Sequence, residues 1–400
     1  ETMVIHGTGC CLMDILYARG DFSTAAFQEA LSRKEGDGGL SPGRLVFAED
    51  FERFMGRPYE DALSLITGGV EPSSRNLGGP SVVALAHAAQ MLEDKAGVRF
   101  FGIRGGDALG DFVESALGRL PFKEYRLLRK GEASPRTDVI SDPNYDNGHG
   151  ERTFINLIGA AGSFYPEDLE DRFFDADITA FGGTGLVPPI HDGLTDLLKR
   201  ARDRGAVTMV NLVYDFRSEI TAPGRKWKLG AGDDAYPYID ILAADREEAL
   251  KTSGTTSVED AIRWFLSRGT GAAVITEGSR AVRLAAGKGV FAPLEPRSMP
   301  VCEEVNRELA AHPERRGDTT GCGDNFAGGV IAGLAEQLET VPRGKADLWE
   351  CVILGSAAGG FACFTVGGTY YETRRGEKRE KLAPYIEAYR KQLSGFSAYC

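Results

Sequence analysis

Short apolar runs alternate with longer helical patterns along most of this chain, and glycines punctuate both. Residues 3–5 predict a strand, Gly7-Thr8-Gly9 a turn behind it, and Asp14 falls in a further apolar stretch that ends at Tyr17. After Gly78-Gly79-Pro80, residues 82–92 carry Val82, Val83, Leu85, Ala86, Ala89 and Leu92 without Gly or Pro, so a helix begins facing the glycines. A strand over 99–103 then leads through Gly105-Gly106-Asp107 into a helix holding Phe112, Val113, Ala116 and Leu117. Strands follow at 177–181, 206–213, 239–243 and 272–276, with helices at 191–204 and 257–267 among them. Such alternation predicts an α/β fold, a doubly wound and mostly parallel sheet flanked by helices.

Two segments break the rhythm. Residues 19–75 turn polar and Gly-rich and read as an insertion or cover. Residues 125–156 read as short alternating strands cut by Asp142-Pro143-Asn144 and Asp146-Asn147-Gly148, a small β-rich subdomain. The predicted organisation is an α/β core over 1–18, 76–124 and 157–400, with 19–75 and 125–156 as insertion and lid. A small sheet has edges and a free face, so the lid is also where a homodimer would form.

Composition narrows the partners. Lys+Arg 46 against Asp+Glu 58 leaves a net charge of −12, which argues against nucleic acid and anionic membranes. The 51 glycines follow no period and read as tight turns and close backbone approaches. Seven cysteines, none spaced Cys-x-x-Cys, spell neither a disulfide framework nor a zinc site and fit a reducing cytoplasm. No basic region followed by an apolar run opens the sequence, so no signal peptide is expected. Residues 351–368 are eighteen without a charge, but five are Gly, which predicts a buried helix in place of a membrane span. Gly7-Thr8-Gly9 lacks the third glycine of a dinucleotide fingerprint, and no Gly-x-x-x-x-Gly-Lys-[Ser/Thr] occurs.

Chemistry concentrates in Gly317-Asp318-Thr319-Thr320-Gly321-Cys322-Gly323-Asp324-Asn325-Phe326. Phe326, Val330, Ile331, Leu334 and Leu338 recur at helical spacing, so a helix starts at about Asp324 with the glycines just before it. A helix N-terminus offers unpaired amides and partial positive charge, and Gly321 and Gly323 would let a phosphate approach. Asp324 beside it could take a proton from an attacking hydroxyl; alone, it could equally be an N-cap.

This segment closely resembles the C-terminal signature of the PfkB, or ribokinase-like, carbohydrate kinases, and the resemblance continues in order along nearly the whole chain. It implies the ribokinase-like fold and ATP-dependent phosphorylation of a sugar hydroxyl, with Mg²⁺ as cofactor. Asp324 then corresponds to the catalytic base, and the amides of Gly321, Cys322, Gly323 and Asp324 to the anion hole, with Cys322 where the family usually has Ala. Asp14 matches the sugar-hydroxyl ligand and Gly78-Gly79 the glycine pair that closes over the substrate. Gly150-Glu151-Arg152-Thr153 resembles the lid strand, making Arg152 a candidate phosphate contact. Glu248 stands where the family's Glu organises Mg²⁺ through water. Thr276 and Gly278 match the turn beside the nucleotide, and Gly355 opens the segment lining the adenine pocket. Asp318 and Thr320 match positions that hold a monovalent cation, K⁺, through carbonyls in some members. The opening Gly9-Cys10-Cys11-Leu12-Met13-Asp14-Ile15 also resembles adenosine kinases, so a nucleoside kinase is the alternative, and a catalytically silent sugar sensor on the same fold is the other.

Overall fold

The computed structural model describes residues 2–131 and 133–396; Glu1, Glu132 and 397–400, Cys400 included, lie outside the described residues. The strands, in chain order, are β1 (Met3–Gly9), β2 (Leu12–Tyr17), β3 (Leu45–Phe47), β4 (Ser74–Gly78), β5 (Ala96–Arg104), β6 (Glu124–Arg129) and β7 (Arg136–Asp142). The remainder are β8 (Glu151–Leu157), β9 (Ile178–Gly182), β10 (Val207–Asn211), β11 (Ile241–Asp245), β12 (Ala272–Thr276), β13 (Ala281–Ala286) and β14 (Leu294–Pro300). One sheet runs β14-β13-β12-β11-β10-β9-β1-β5-β6, and a smaller one runs β3-β8-β7-β2-β4. The large sheet is parallel from β12 to β6, and only β13 and β14 turn antiparallel.

Successive side chains of a strand point to opposite faces, so a sheet covered on both sides needs strands apolar at every position. That is what these runs supply. Phe100, Ala243 and Val274 enter one core with the helices Pro80–Leu92, Cys322–Leu338 and Leu348–Ala362. Their neighbours Phe101, Leu242 and Ile275 enter a second core on the other face, with the helices Leu194–Asp203 and Val258–Ser267.

Several boundaries differ from those expected. Gly7-Thr8-Gly9 continues β1 in place of turning, because the glycines let the strand pass against Leu85 and the Gly182 carbonyl. The helix expected over 191–204 is broken at Gly193 into Pro188–Asp192 and Leu194–Asp203. The uncharged segment 351–368 is helical only to Ala362, and no helix among the described residues is long and apolar enough to cross a membrane. β6 pairs with β5 in the large sheet, not in the lid, while β2 belongs to the small sheet, not to the core. β4, within the 19–75 insertion at its start and the core at its end, forms the small sheet's edge.

The 19–75 insertion has its own helices, Ala25–Ala30, Ala48–Met55 and Tyr59–Thr67, whose Phe27, Phe51 and Ile66 pack against Ile140 and Ile155 of the small sheet. It therefore buttresses the back of that sheet. Tyr59 donates to Asp138 at 2.5 Å and Arg136 to the same carboxylate at 2.9 Å, which carries the buried Asp138 charge on this side. One face of the small sheet is thus covered from within the chain.

Candidate active site

The carboxyl ends of the parallel strands β1, β9, β10, β11 and β12 open toward one edge of the large sheet, the usual place for a ligand in a doubly wound fold. Three carboxylates meet there. Asp14 projects from β2, whose backbone pairs with β4 so that Leu12 lies opposite Gly78 and Asp14 opposite Asn76. A β-carbon at Gly78 would overlap the Asp14 carboxylate, and one at Gly79 would fall 2.5 Å from the Cys10 carbonyl oxygen. Gly79 is glycine because the Pro80–Leu92 helix, which it caps, starts directly against the Cys10-Cys11 link between β1 and β2, and Gly78 because the Asp14 carboxylate fills the space of a side chain.

The second element is the start of the Cys322–Leu338 helix, two residues earlier than expected, with Gly321 as its N-cap. Gly321 has φ +75°, and a β-carbon there would lie 2.5 Å from Gly368 Cα, so both conformation and space require glycine. At Gly323 a β-carbon would meet nothing within 4 Å, which leaves open space over the first turn. The amides of Gly321, Gly323 and Asp324 donate to no acceptor among the described residues. The Cys322 amide is different: it bonds to the Thr319 carbonyl at 3.3 Å, so three of the four amides expected to face an anion are left without an acceptor.

Asp324 lies in this first turn, and burial pushes its carboxyl up to about 6. Asp14 is pushed up to about 7, by burial first and then by the negative charges of Asp324 and Asp318. Glu248 goes up to about 8 through burial, then Asp245, with Asp324 a further contributor. Asp14 and Glu248 thus both sense the charge of Asp324, each from a different element. Cooperating carboxylates with raised affinity for protons are a mark of functional sites.

Asp318 holds the loop before the helix, accepting from the Thr320 amide at 2.9 Å and the Gly367 amide at 3.3 Å. Gly317 and Asp318 donate to the carbonyls of Cys363 and Thr365, at 2.8 and 3.0 Å, so loops 317–321 and 363–368 run together. The Asp318 side chain's visible work is this clip, and Thr320 supplies its amide to it. Glu248 closes a capping box, accepting from the Asp245 amide at 2.8 Å while Asp245 accepts from the Glu248 amide at 2.8 Å. Thr276 ends β12 directly opposite Asp245, which brings it to the same edge. Gly278 has φ +61° with open space around it, as a hairpin turn between β12 and β13 needs.

Two expected residues are not brought in. Across the small sheet Asp14 pairs with Thr137, and Thr137 with Asn156, so Asn156 is the β8 residue in Asp14's row. Arg152 pairs with Ser141, four residues along β8, on the order of 13 Å from that row at the usual strand rise. Gly355 lies inside the contact between two helices, where a β-carbon would fall 2.8 Å from Val330 Cγ2 and 2.9 Å from the Phe326 carbonyl. Its glycine serves helix packing.

Other residues enter the site that sequence reading passed over. Asn76, Thr137 and Asn156 share a sheet face with Asp14; Asn156 donates to Thr137 Oγ1 at 3.0 Å, and its buried Oδ1 has no partner among the described residues. An unpartnered buried acceptor beside an open carboxylate row is suited to a hydroxyl donor from outside. Asn325 donates to the carbonyls of Gly321 and Gly368, both at 2.9 Å, and its Oδ1 accepts from buried Lys378 at 2.9 Å. Burial pushes that ammonium down to about 7. The alternation around Asp14 was the available signal for the first group; for Lys378, 53 residues from Asn325, there was none in the local sequence.

The carboxylate cluster also bears on Mg²⁺. Among the described residues no group of three or more His, Cys, Asp or Glu is arranged to hold a metal by itself. Magnesium in phosphoryl-transfer sites takes one or two carboxylates, waters and the substrate's own phosphates, so Glu248 alone would be enough on the protein's side. Several mutually repelling carboxylates would moreover oppose a bare polyphosphate, an opposition that a divalent cation relieves.

Comparison with known proteins gives a consistent picture. Residues 71–374 match the family described as pfkB family carbohydrate kinase. A fructokinase of Vibrio alginolyticus is 25% identical over 269 residues, 66% of this chain and 77% of that protein. Among solved structures, an adenosine kinase of Anopheles gambiae in complex with P1,P4-di(adenosine-5) tetraphosphate superposes with TM-score 0.65 at 20% identity, covering 90% of this chain and 95% of the other. A ribokinase of Thermotoga maritima gives TM-score 0.60 at 18% identity, covering 96% and 99%.

Proposed function

The chain belongs to the pfkB family of carbohydrate kinases and is a phosphotransferase of the sugar- and nucleoside-kinase kind, and from that premise we propose that it moves the γ-phosphoryl group of ATP onto a hydroxyl of a small sugar. The observation that carries this reading is the meeting of Asp14, on the small sheet, with Asp324, at a helix start whose Gly321, Gly323 and Asp324 amides are free. Asp14 accepts hydrogen bonds from acceptor hydroxyls, helped by Asn156 of the same row. Asp324 takes the proton of the hydroxyl that attacks the γ-phosphorus, and the bond from phosphorus to the β–γ bridging oxygen breaks to release ADP. The three amides face charge on the transferring group, where fixed dipoles need no reorganisation. Glu248 is the residue that would hold Mg²⁺ through water, and the ion, when bound, would neutralise charge on the nucleotide oxygens.

The test is ADP release from Mg·ATP against pentoses, hexoses, sugar acids and nucleosides, with Asp324→Ala in parallel. Turnover with a sugar, abolished by the substitution, supports the reading; turnover with nucleosides alone overturns the sugar assignment. ATP binding without turnover on the whole panel would favour the silent sensor.

One observation favours the nucleoside alternative. A cavity of about 1030 Å³ begins at β8 and is walled by Arg44, Phe154, Tyr214 and Phe216, the last two rings 4.6 Å apart. β8 lies two strands from Asp14, about 10 Å at the usual strand spacing, a distance that a ring attached to a pentose could cover. Tyr214→Ala then serves as a discriminator: it raises KM for nucleosides and leaves a monosaccharide's KM unchanged.

Asp14→Asn is expected to raise KM for the acceptor about tenfold to a hundredfold per hydroxyl bond lost, since a hydrogen bond to a charged group contributes about 1.5–3 kcal/mol. Steady-state kinetics with the acceptor varied at saturating Mg·ATP measures it, and an unchanged KM would remove Asp14 from the acceptor site.

A further inference from the structure

Cys322 and Cys363 bring their sulfurs to 3.5 Å across the two loops that frame the anion site. Cys322 is the first residue of its helix, and Cys363 the residue that ends Leu348–Ala362. Among the six described cysteines these two are partly exposed, while Cys10, Cys11, Cys302 and Cys351 are buried. The backbone on either side is already pinned by the Gly317 to Cys363 hydrogen bond of 2.8 Å and the Asp318 to Thr365 hydrogen bond of 3.0 Å. A disulfide needs about 2.05 Å between sulfurs, so side-chain rotation with a small backbone shift is what separates the thiol pair from a bond.

We propose that Cys322 and Cys363 form a reversible disulfide under hydroperoxide, which ties the start of the catalytic helix to the 363–368 loop and shuts the site; the shutting rests on the kinase reading above, the bond itself does not. The hydrogen bond shared with the Cys322 sulfur, together with the Arg316 guanidinium, holds Cys363 below the usual thiol range, so Cys363 is the attacking thiolate. It attacks one peroxide oxygen of ROOH, giving a sulfenic acid and RO⁻, which takes a proton from water. The Cys322 sulfur then attacks the sulfenic sulfur, forming the S–S bond as hydroxide leaves and combines with the thiol proton as water. In sum, two thiols and ROOH become a disulfide, ROH and water, two electrons passing from sulfur to the peroxide. A dithiol reverses it by exchange.

The bond constrains the helix start that carries the Gly323 and Asp324 amides. Displacements of about 1 Å at reacting groups cost on the order of 100-fold in rate, so activity is expected to fall at least tenfold on oxidation. The chain is treated with hydrogen peroxide, alkylated and mapped by peptide mass spectrometry, which separates a 322–363 bond from any bond to Cys400. Expected are a linked Cys322–Cys363 peptide, loss of turnover in proportion to it, and recovery of both with dithiothreitol. Cys363→Ser should form no such peptide and keep its own starting activity under peroxide. Absence of the linked peptide overturns the proposal, and so does a linked peptide with unaltered turnover. Should no acceptor be turned over, Mg·ATP binding by calorimetry replaces turnover: weakening by at least tenfold on oxidation supports the switch, and equal binding by both forms overturns it.

Discussion

Asp324→Asn is expected to lower kcat by about 10²- to 10⁴-fold with a much smaller change in KM for Mg·ATP, the range a positioned general base contributes. Asparagine keeps the shape of the helix start and removes only the proton acceptor. In the parent chain kcat/KM should fall as pH drops through about 6, because the Asp324 carboxyl, pushed up by burial, then takes its proton from solvent and is closed to the hydroxyl. The substitution should also stabilise the fold at alkaline pH. The folded-state value of about 6 stands above the ordinary 3.8, so the native state binds more protons between them and stability declines as pH rises through that window. Above pH 6 the parent holds a buried charge that the variant lacks, a difference on the order of 1–2 kcal/mol after allowing for solvent screening. Thermal unfolding of both proteins at pH 4 and pH 8 measures it. Less than tenfold loss of kcat would rule out the base assignment, whereas lost activity together with lost stability would point to a merely structural cap.

Gly321→Ala should cost both stability and activity, and comparison with Gly323→Ala separates the two. At Gly321 the φ of +75° and the 2.5 Å approach to Gly368 Cα leave no room for a methyl group. Holding a non-glycine residue in such a conformation costs of order 1–3 kcal/mol before any steric overlap is counted. The strain falls on the amides of the helix start, so a loss of 100-fold or more in kcat/KM is expected. Gly323 stands in helix with open space above it. An alanine there should leave the fold as stable or raise stability by up to about 1 kcal/mol, while its methyl enters the space over the free amides and lowers kcat/KM. Denaturant unfolding and steady-state kinetics on the pair decide the matter. Full activity in Gly323→Ala would show that no phosphate approaches these amides.

Much of the molecule was legible in its sequence. Fully apolar runs such as Ala272–Thr276 can be stable only when both faces are covered, so the parallel sheet with helices on either side followed from pattern alone. Asp14 and Asp324 stood out because the segments that carry them resemble motifs of the family, whereas Gly321 answers to local chemistry, since its positive φ admits almost nothing else. The three-dimensional arrangement decided the rest. Register is a property of two strands together, and it was the pairing of β7 with β8 that put Asn156 in Asp14's row and carried Arg152 away from it. The same holds for Gly355, whose packing role exists only against Phe326 and Val330, and for Lys378 and Asn325, joined by one hydrogen bond between distant segments. Insertion 19–75 read as an insertion or cover, and what its sequence could not tell was the surface it meets, since the apolar sides of its helices pack against Ile140 and Ile155 of the small sheet. What a residue can do is written in its own chemistry and immediate neighbours; what it faces depends on which distant segments bury their apolar surface together.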